Sequence, residues 1–181
     1  MKTIIYLTRH GQTVENAQHI LQGHMPGHLS KEGIAQLETL RDRLSNIHFD
    51  AVVCSDLKRC VDSAAILSAP HHLQPVKTTL LRERDWGAIT GKNILSDVVS
   101  LKYKTFPPDV ESEEAIYRRS ILFLEYIQKN YKGQTILAVG HGMVDRYIQA
   151  VFNHTIIKDI KRMDNAEVRI LDLDDSEQFF I

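Results

Sequence analysis

Along the whole chain the apolar residues switch between the period of two that marks a strand and the spacing of three and four that marks a helix, and this switching constrains the fold most. Thr3 to Leu7 reads as a strand. Ser30 caps a helix carrying Ile34, Leu37, Leu40, Leu44 and Ile47. Ala51 to Cys54 is a short buried strand, followed by a helix with Leu57, Val61, Ala64 and Leu67 that ends near Pro70. Val76 to Leu81 is expected to be a further extended segment. From Trp86 to Val110 the pattern weakens around glycines and the Pro107, Pro108 pair, which predicts a loop or lid. A helix starts near Ser112 and carries Tyr117, Ile121, Leu124 and Ile127. Thr135 to Val139 is an all-apolar strand, Val144, Ile148 and Val151 belong to the helix after it, and Val168 to Leu173 alternates as a last strand.

Strands alternating with helices imply an α/β fold of three layers, α/β/α, with a mostly parallel central sheet and helices on both faces. No repeat or low-complexity tract divides residues 1–181, so one domain is expected, and 43% hydrophobic residues suffice for its core. Charge narrows the partners. Lysine plus arginine (22) nearly balances aspartate plus glutamate (23) with no polybasic run, which argues against a nucleic-acid or anionic-membrane footprint. The start, MKTIIYLTRH, has too few apolar residues before Arg9 for a signal or membrane segment, so a cytoplasmic protein is expected. Cys54 and Cys60 form no disulfide framework and are expected to be small buried groups.

In such folds ligands gather beyond the carboxyl ends of the strands. Three strand ends here carry the same kind of chemistry. The first ends in Arg9, His10, Gly11; the second leads into SDLKR, with Arg59 one turn into a helix; the strand at Thr135 ends in GHGMVDR, with His141 between two glycines. Two imidazoles and two guanidiniums on one sheet edge point to phosphate. Arginine presents a fixed fork of donors that matches phosphate oxygens and stays charged. Glycines at a helix start let backbone amides approach an anion. A neutral imidazole attacks phosphorus when one ring nitrogen is held as N–H by a carbonyl, and surrounding cations favour that neutral form.

LTRHGQT with Asn16 resembles the RHGxTxxN signature of the histidine phosphatase superfamily, also called the phosphoglycerate mutase-like family. Four further stretches resemble its motifs in order: LQGHMPGHLSKEGIAQ, SDLKRCVDSAAIL, LLRERDWGAITGK and VGHGMVDR. The resemblance implies a phosphoglycerate mutase-like fold and roles for each matched residue. His10 is the expected nucleophile, and Arg9, Arg59 and His141 hold the phosphoryl oxygens, helped by Asn16 and the Gly142 amide. Glu83 is the expected acid for the leaving oxygen and then the base for water. Gln22 and Gly23 match the substrate-side loop, and Thr13 either bonds the phosphate or caps the next turn. No metal or other cofactor is implied, and the implied partner is a small phosphorylated metabolite.

The family holds both phosphatases and mutases, and the chain carries marks of each. ERDWG follows the mutase-like ExxYG pattern, and Thr90 replaces the glutamate that many of the phosphatases carry before Gly91. The paired Arg118 and Arg119 match a mutase grip on a second anion, or else face solvent beside Glu113 and Glu114. Against a mutase, the stretch between Glu83 and His141 leaves room for only one loop and one helix, and FPPDVES resembles a phosphatase stretch although Val110 replaces its usual glycine. The shielding C-terminal tail of the mutases is also not expected. A phosphomonoester phosphatase is therefore expected, with a mutase and an inactive phosphate-binding module as alternatives. Two look-alikes fail on spacing: GAITGKN has three residues between its glycines where a P-loop needs four, and four residues without glycine separate Cys54 from Arg59 where a cysteine-phosphatase loop has five. No HExxH or acidic metal cluster appears. Trp86, Tyr103, Phe106 and the His24 to His28 segment are expected around the mouth of the site, as a wall for the leaving group or as packing.

Overall fold

In the computed structural model, which describes residues 2–95, 106–174, 176, 178 and 179, five strands form one sheet. They are β1 (Lys2–Arg9), β2 (Ala51–Ser55), β3 (Val76–Thr78), β4 (Thr135–Gly140) and β5 (Val168–Asp174), in the order β3-β2-β4-β1-β5. β1 and β2 flank β4 in parallel and β3 runs parallel to β2, while β5 is antiparallel on the edge beside β1. The period of two sends alternate side chains of one strand into two different cores. In β4, Ile136 and Ala138 enter one with Ile5 and Leu7 of β1, and Leu137 and Val139 enter the other with Val52 and Cys54 of β2.

Helices cover both faces. α2 (Lys31–Leu44) and α3 (Lys58–Ser68) close the Leu137 side through Leu37, Leu40, Ala64 and Leu67, and α4 (Glu113–Asn130) with α5 (Gly142–Phe152) close the Ile136 side through Phe123, Leu124, Val144 and Ile148. Full burial of each such large side chain contributes about 1.5–3 kcal/mol. A short helix, α1 (Val14–Ala17), follows β1. The helix starts follow their caps: Ser30 accepts from the Gly33 amide and Ser112 from the Ala115 amide. Ile34, expected on the buried stripe of α2, is 40% exposed, because Gly33 takes the position that packs against Gln12.

The segment Val76 to Leu81 is extended only through Thr78. Its second half is a 3-10 turn, Thr79–Leu81, in which the Thr78 hydroxyl accepts from the Leu80 amide and Arg82 N donates to the Thr79 carbonyl. That turn brings Glu83 back toward the sheet. Part of the expected lid, with Tyr103, lies outside the described residues. Both cysteines are free and buried. Among the described residues no helix is long and apolar enough to cross a membrane.

Candidate active site

β1 and β4 lie side by side, but the chain leaves them toward opposite faces, to α2 on one and α5 on the other, which opens a crevice at their carboxyl ends. A cavity of about 410 Å³ occupies it, lined at its floor by Arg9, His10, Asn16, Arg59, Glu83 and Gly142. The turn after β1 is held tightly: a Cβ at Gly11 would meet the Gly33 carbonyl at 2.6 Å and the Leu37 side chain at 2.7 Å. Only glycine lets α2 approach the strand end this closely.

His10 is 3% exposed and its Nδ1 lies 2.7 Å from the Gly11 carbonyl. A carbonyl only accepts, so Nδ1 carries the proton and Nε2 the lone pair. Burial, then the charges of Arg59 and Arg9, hold the imidazole well below its ordinary value. The ring is therefore neutral.

Arg59 is 1% exposed. Its Nε donates to His141 Nδ1 at 3.1 Å, and its two terminal nitrogens donate to the Met25 and Gly23 carbonyls at 2.5 and 2.8 Å. Three of its five N–H groups are thus used for placement, which leaves two for a ligand. Arg9 donates to the Met163 carbonyl at 2.8 Å, and its Nε is buried with no partner among the described residues. An orphaned guanidinium nitrogen at a cavity floor fits an absent anion.

His141 is fully buried, edge-on to the His10 ring at 5.2 Å between centroids. It accepts from Arg59 at Nδ1, so its Nε2 carries the proton and faces the Cys60 sulfur at 3.2 Å. Burial and then Arg59 keep this imidazole too well below its ordinary value. His141 thus meets the floor through Arg59 and His10 and does not itself line the cavity.

Glu83 caps the helix after the second histidine. Its carboxylate accepts from the amides of Met143 and Val144 at 3.1–3.2 Å and of Arg84 at 2.8 Å. A helix start is a favourable place for an acidic group. Asn16 lines the cavity while Thr13 does not: the Thr13 hydroxyl accepts from the Asn16 amide, and the Asn16 side chain accepts from Thr13 N in return. Of its two expected roles, Thr13 has the cap. Gln22 and Gly23 line the side of the cavity, on a stretch tied to Gly91 and Lys92 through Leu21. His28 pairs with Glu15 at the surface, and His24 contacts the Glu83 carbonyl at 2.9 Å. Neither lines the cavity.

The outer wall is apolar, with Ile20, Leu21, Trp86, Ile94, Phe106 and Met143. Arg84 stiffens it by stacking on Trp86 and Phe106 at 4.8 and 5.0 Å. Arg118 pairs with Glu114 on the surface, and Arg119 is bound to Glu111 and to the Leu80 and Arg82 carbonyls. Neither faces the cavity. Arg146, Arg162 and Met163 line it instead, and sequence reasoning missed them. It also missed Asp145, a fully buried acid four residues after His141. An acid one helical turn before the apolar Ile148 was the available signal. Among the described residues no group of three or more His, Cys, Asp and Glu side chains is placed to hold a metal ion.

The sequence model of the histidine phosphatase superfamily (branch 1) matches residues 5–180. A 2,3-bisphosphoglycerate-dependent phosphoglycerate mutase of Rhizobium etli is 34% identical over 88% of this chain and 84% of its own. A metal-independent phosphoserine phosphatase of Arabidopsis thaliana is 29% identical over 97% of this chain and 78% of its own. Among solved structures, Bacillus stearothermophilus YhfR superposes with a TM-score of 0.88 over 99% of this chain and 95% of its own, at 24% identity.

Proposed function

The chain belongs to the histidine phosphatase superfamily, branch 1, and from that premise we propose that it is a phosphomonoester phosphatase acting on a small metabolite through a phosphohistidine, without a metal. One observation carries the reading. The His10 ring is held by the Gly11 carbonyl at Nδ1, on the floor of a cavity shared with Arg9, Arg59 and Glu83. That tautomer leaves Nε2 to attack.

In the first step Nε2 of His10 bonds to phosphorus as the bond to the leaving oxygen breaks, and Glu83, protonated at that stage, gives the oxygen its proton. In the second, Glu83 takes a proton from water, whose oxygen bonds to phosphorus as the P–N bond breaks. Two displacements replace one difficult one. Arg9 and Arg59 stabilise the charge on the equatorial oxygens throughout, the larger part of such catalysis. Asn16 and the Gly142 amide reach the same oxygens. His141 orients Arg59, and its Nε2–H serves as a further donor when it exchanges the Cys60 sulfur for a phosphoryl oxygen. Gln22 and Gly23 border the leaving group.

The Rhizobium etli relative favours a second reading, phosphoryl transfer between hydroxyls. Arg118 and Arg119, which match a mutase's paired grip, are spent on Glu114 and Glu111, so a second anion would fall to Arg146 and Arg162, which do line the cavity. Hydrolysis is preferred on the short Glu83 to His141 stretch and the phosphatase-like FPPDVES. The test is p-nitrophenyl phosphate turnover with and without EDTA, by wild type and His10→Ala. Turnover unaffected by EDTA and abolished by the substitution is expected; metal dependence or survival of the variant contradicts the reading. With 3-phosphoglycerate and a trace of 2,3-bisphosphoglycerate, isomerisation faster than phosphate release decides for the mutase.

A further inference from the structure

Asp145 is a buried acid for which the reaction above has no use. It lies in the first turn of α5, fully buried, and among the described residues neither carboxyl oxygen has a partner in good hydrogen-bond geometry, the backbone N–H of His141 giving only a weak pull. Its position is built by a glycine. Gly140 is the β4 residue paired with Arg9 in the sheet register, and a Cβ on Gly140 would collide with Asp145 Oδ1. The place of a side chain at 140, next to Arg9, is thus filled by the Asp145 carboxyl. Arg9, across the sheet register from Gly140, feels the Asp145 charge, and its Nε is likewise buried without a partner among the described residues. Unpartnered buried polar groups are costly, and two in one place call for a reason.

Resting on the reading of Arg9 as a phosphoryl ligand, we propose that Asp145 is a positioning residue for Arg9. As the neutral acid it fills the Gly140 niche and leaves the guanidinium charge to the phosphoryl oxygens; once ionised it becomes an internal anion that competes with phosphate for that charge. The groups facing it decide which form is present. Glu83 acts on it from the 82–85 segment, Arg9 from β1, the His141 backbone N–H from the turn before α5, and the neutral Cys60 thiol from α3, while Gln149 of its own helix donates to the Asp145 main-chain oxygen. Burial and then Glu83 push the carboxyl well above its ordinary value of 3.8, against the smaller pulls of Arg9 and the His141 amide. Phosphate favours the same neutral form, so phosphate binding and Asp145 protonation reinforce each other.

Two measurements test this. The carboxyl carbon of Asp145 in the wild-type protein, assigned by its absence in Asp145→Asn, is followed by NMR against pH. It is expected to remain protonated well above 3.8, and ionisation at the ordinary value overturns the proposal. Calorimetric binding of inorganic phosphate by wild type and Asp145→Asn, from about pH 5 to 9, gives the second readout without requiring turnover. The wild-type dissociation constant, divided by that of the variant, is expected to rise with pH by on the order of tenfold. Phosphate that binds with a ratio independent of pH removes Asp145 from the account but leaves the cradle. Absence of binding by either protein removes the cradle and the proposal with it. Should Asp145→Asn not fold, Asp145→Ser gives the same ratio.

Discussion

The two ends of the cavity are made in different ways. At the floor, His10 and Arg59, with His141 beneath them, are each almost fully buried and fixed by one another or by main-chain carbonyls. At the mouth, Trp86 is buried, Phe106 is 42% exposed and Ile94 is only half-buried, and the two rings meet edge to face. A floor built on strand ends fixes reacting atoms; a wall built on loops fixes only which leaving groups fit. Substitutions at the floor are therefore expected to change rate, and those at the mouth to change selectivity.

The largest effect is expected for His10→Asn. Loss of the nucleophile lowers kcat on p-nitrophenyl phosphate by on the order of 10³-fold or more, with the fold intact by circular dichroism. Arg59→Ala follows, lowering kcat/KM by about 10²–10³-fold, because it removes a charge at the phosphoryl oxygens and frees His141. A result within tenfold of wild type sinks the claim that the floor sets the rate. Trp86→Ala is expected to alter the relative kcat/KM of bulky and small phosphomonoesters by about tenfold, mainly in KM. An equal loss on every substrate makes the wall a mere support. The smallest effect is expected for Arg118→Ala, within about twofold on every substrate, since its pair with Glu114 is exposed.

Acid acts on the floor alone, where two kinds of buried group titrate with opposite sign. His10 and His141 are held neutral in the fold but gain protons below about 6.5 when unfolded, so their part of stability is present above that pH and is lost as pH falls through it. Asp145 acts with the opposite sign: its raised value makes stability decline as pH rises from 3.8 toward the pH at which it ionises in the fold. Urea unfolding is expected to show a steeper fall on acidification below about pH 6.5 in Asp145→Asn than in wild type, because that variant keeps only the histidine term. Parallel curves remove Asp145 as a titrating group.

The sequence disclosed the floor better than the mouth, for a physical reason. His10 and His141 each follow an apolar strand and precede or flank glycine, so local pattern alone brought them to one sheet edge. The 3-10 turn after Thr78 was hidden because its Thr, Leu, Leu sequence suits an extended chain as well, and only the Thr78 cap selects the turn. Arg146 reaches the cavity from α5, and Arg162 and Met163 from beyond it, through contacts that no periodicity marks. Arg118 and Arg119 had two readings on sequence, and the pairing with glutamates is the one found, Arg118 with Glu114 and Arg119 with Glu111.

The central claim is that the phosphoryl group passes through His10, and stereochemistry at phosphorus tests it whatever the lifetime of the intermediate. A phosphomonoester made chiral at phosphorus with sulfur and oxygen isotopes is turned over, and the configuration of the product is read by NMR. Two in-line displacements through His10 predict net retention; net inversion means that water attacks the substrate directly and contradicts the account.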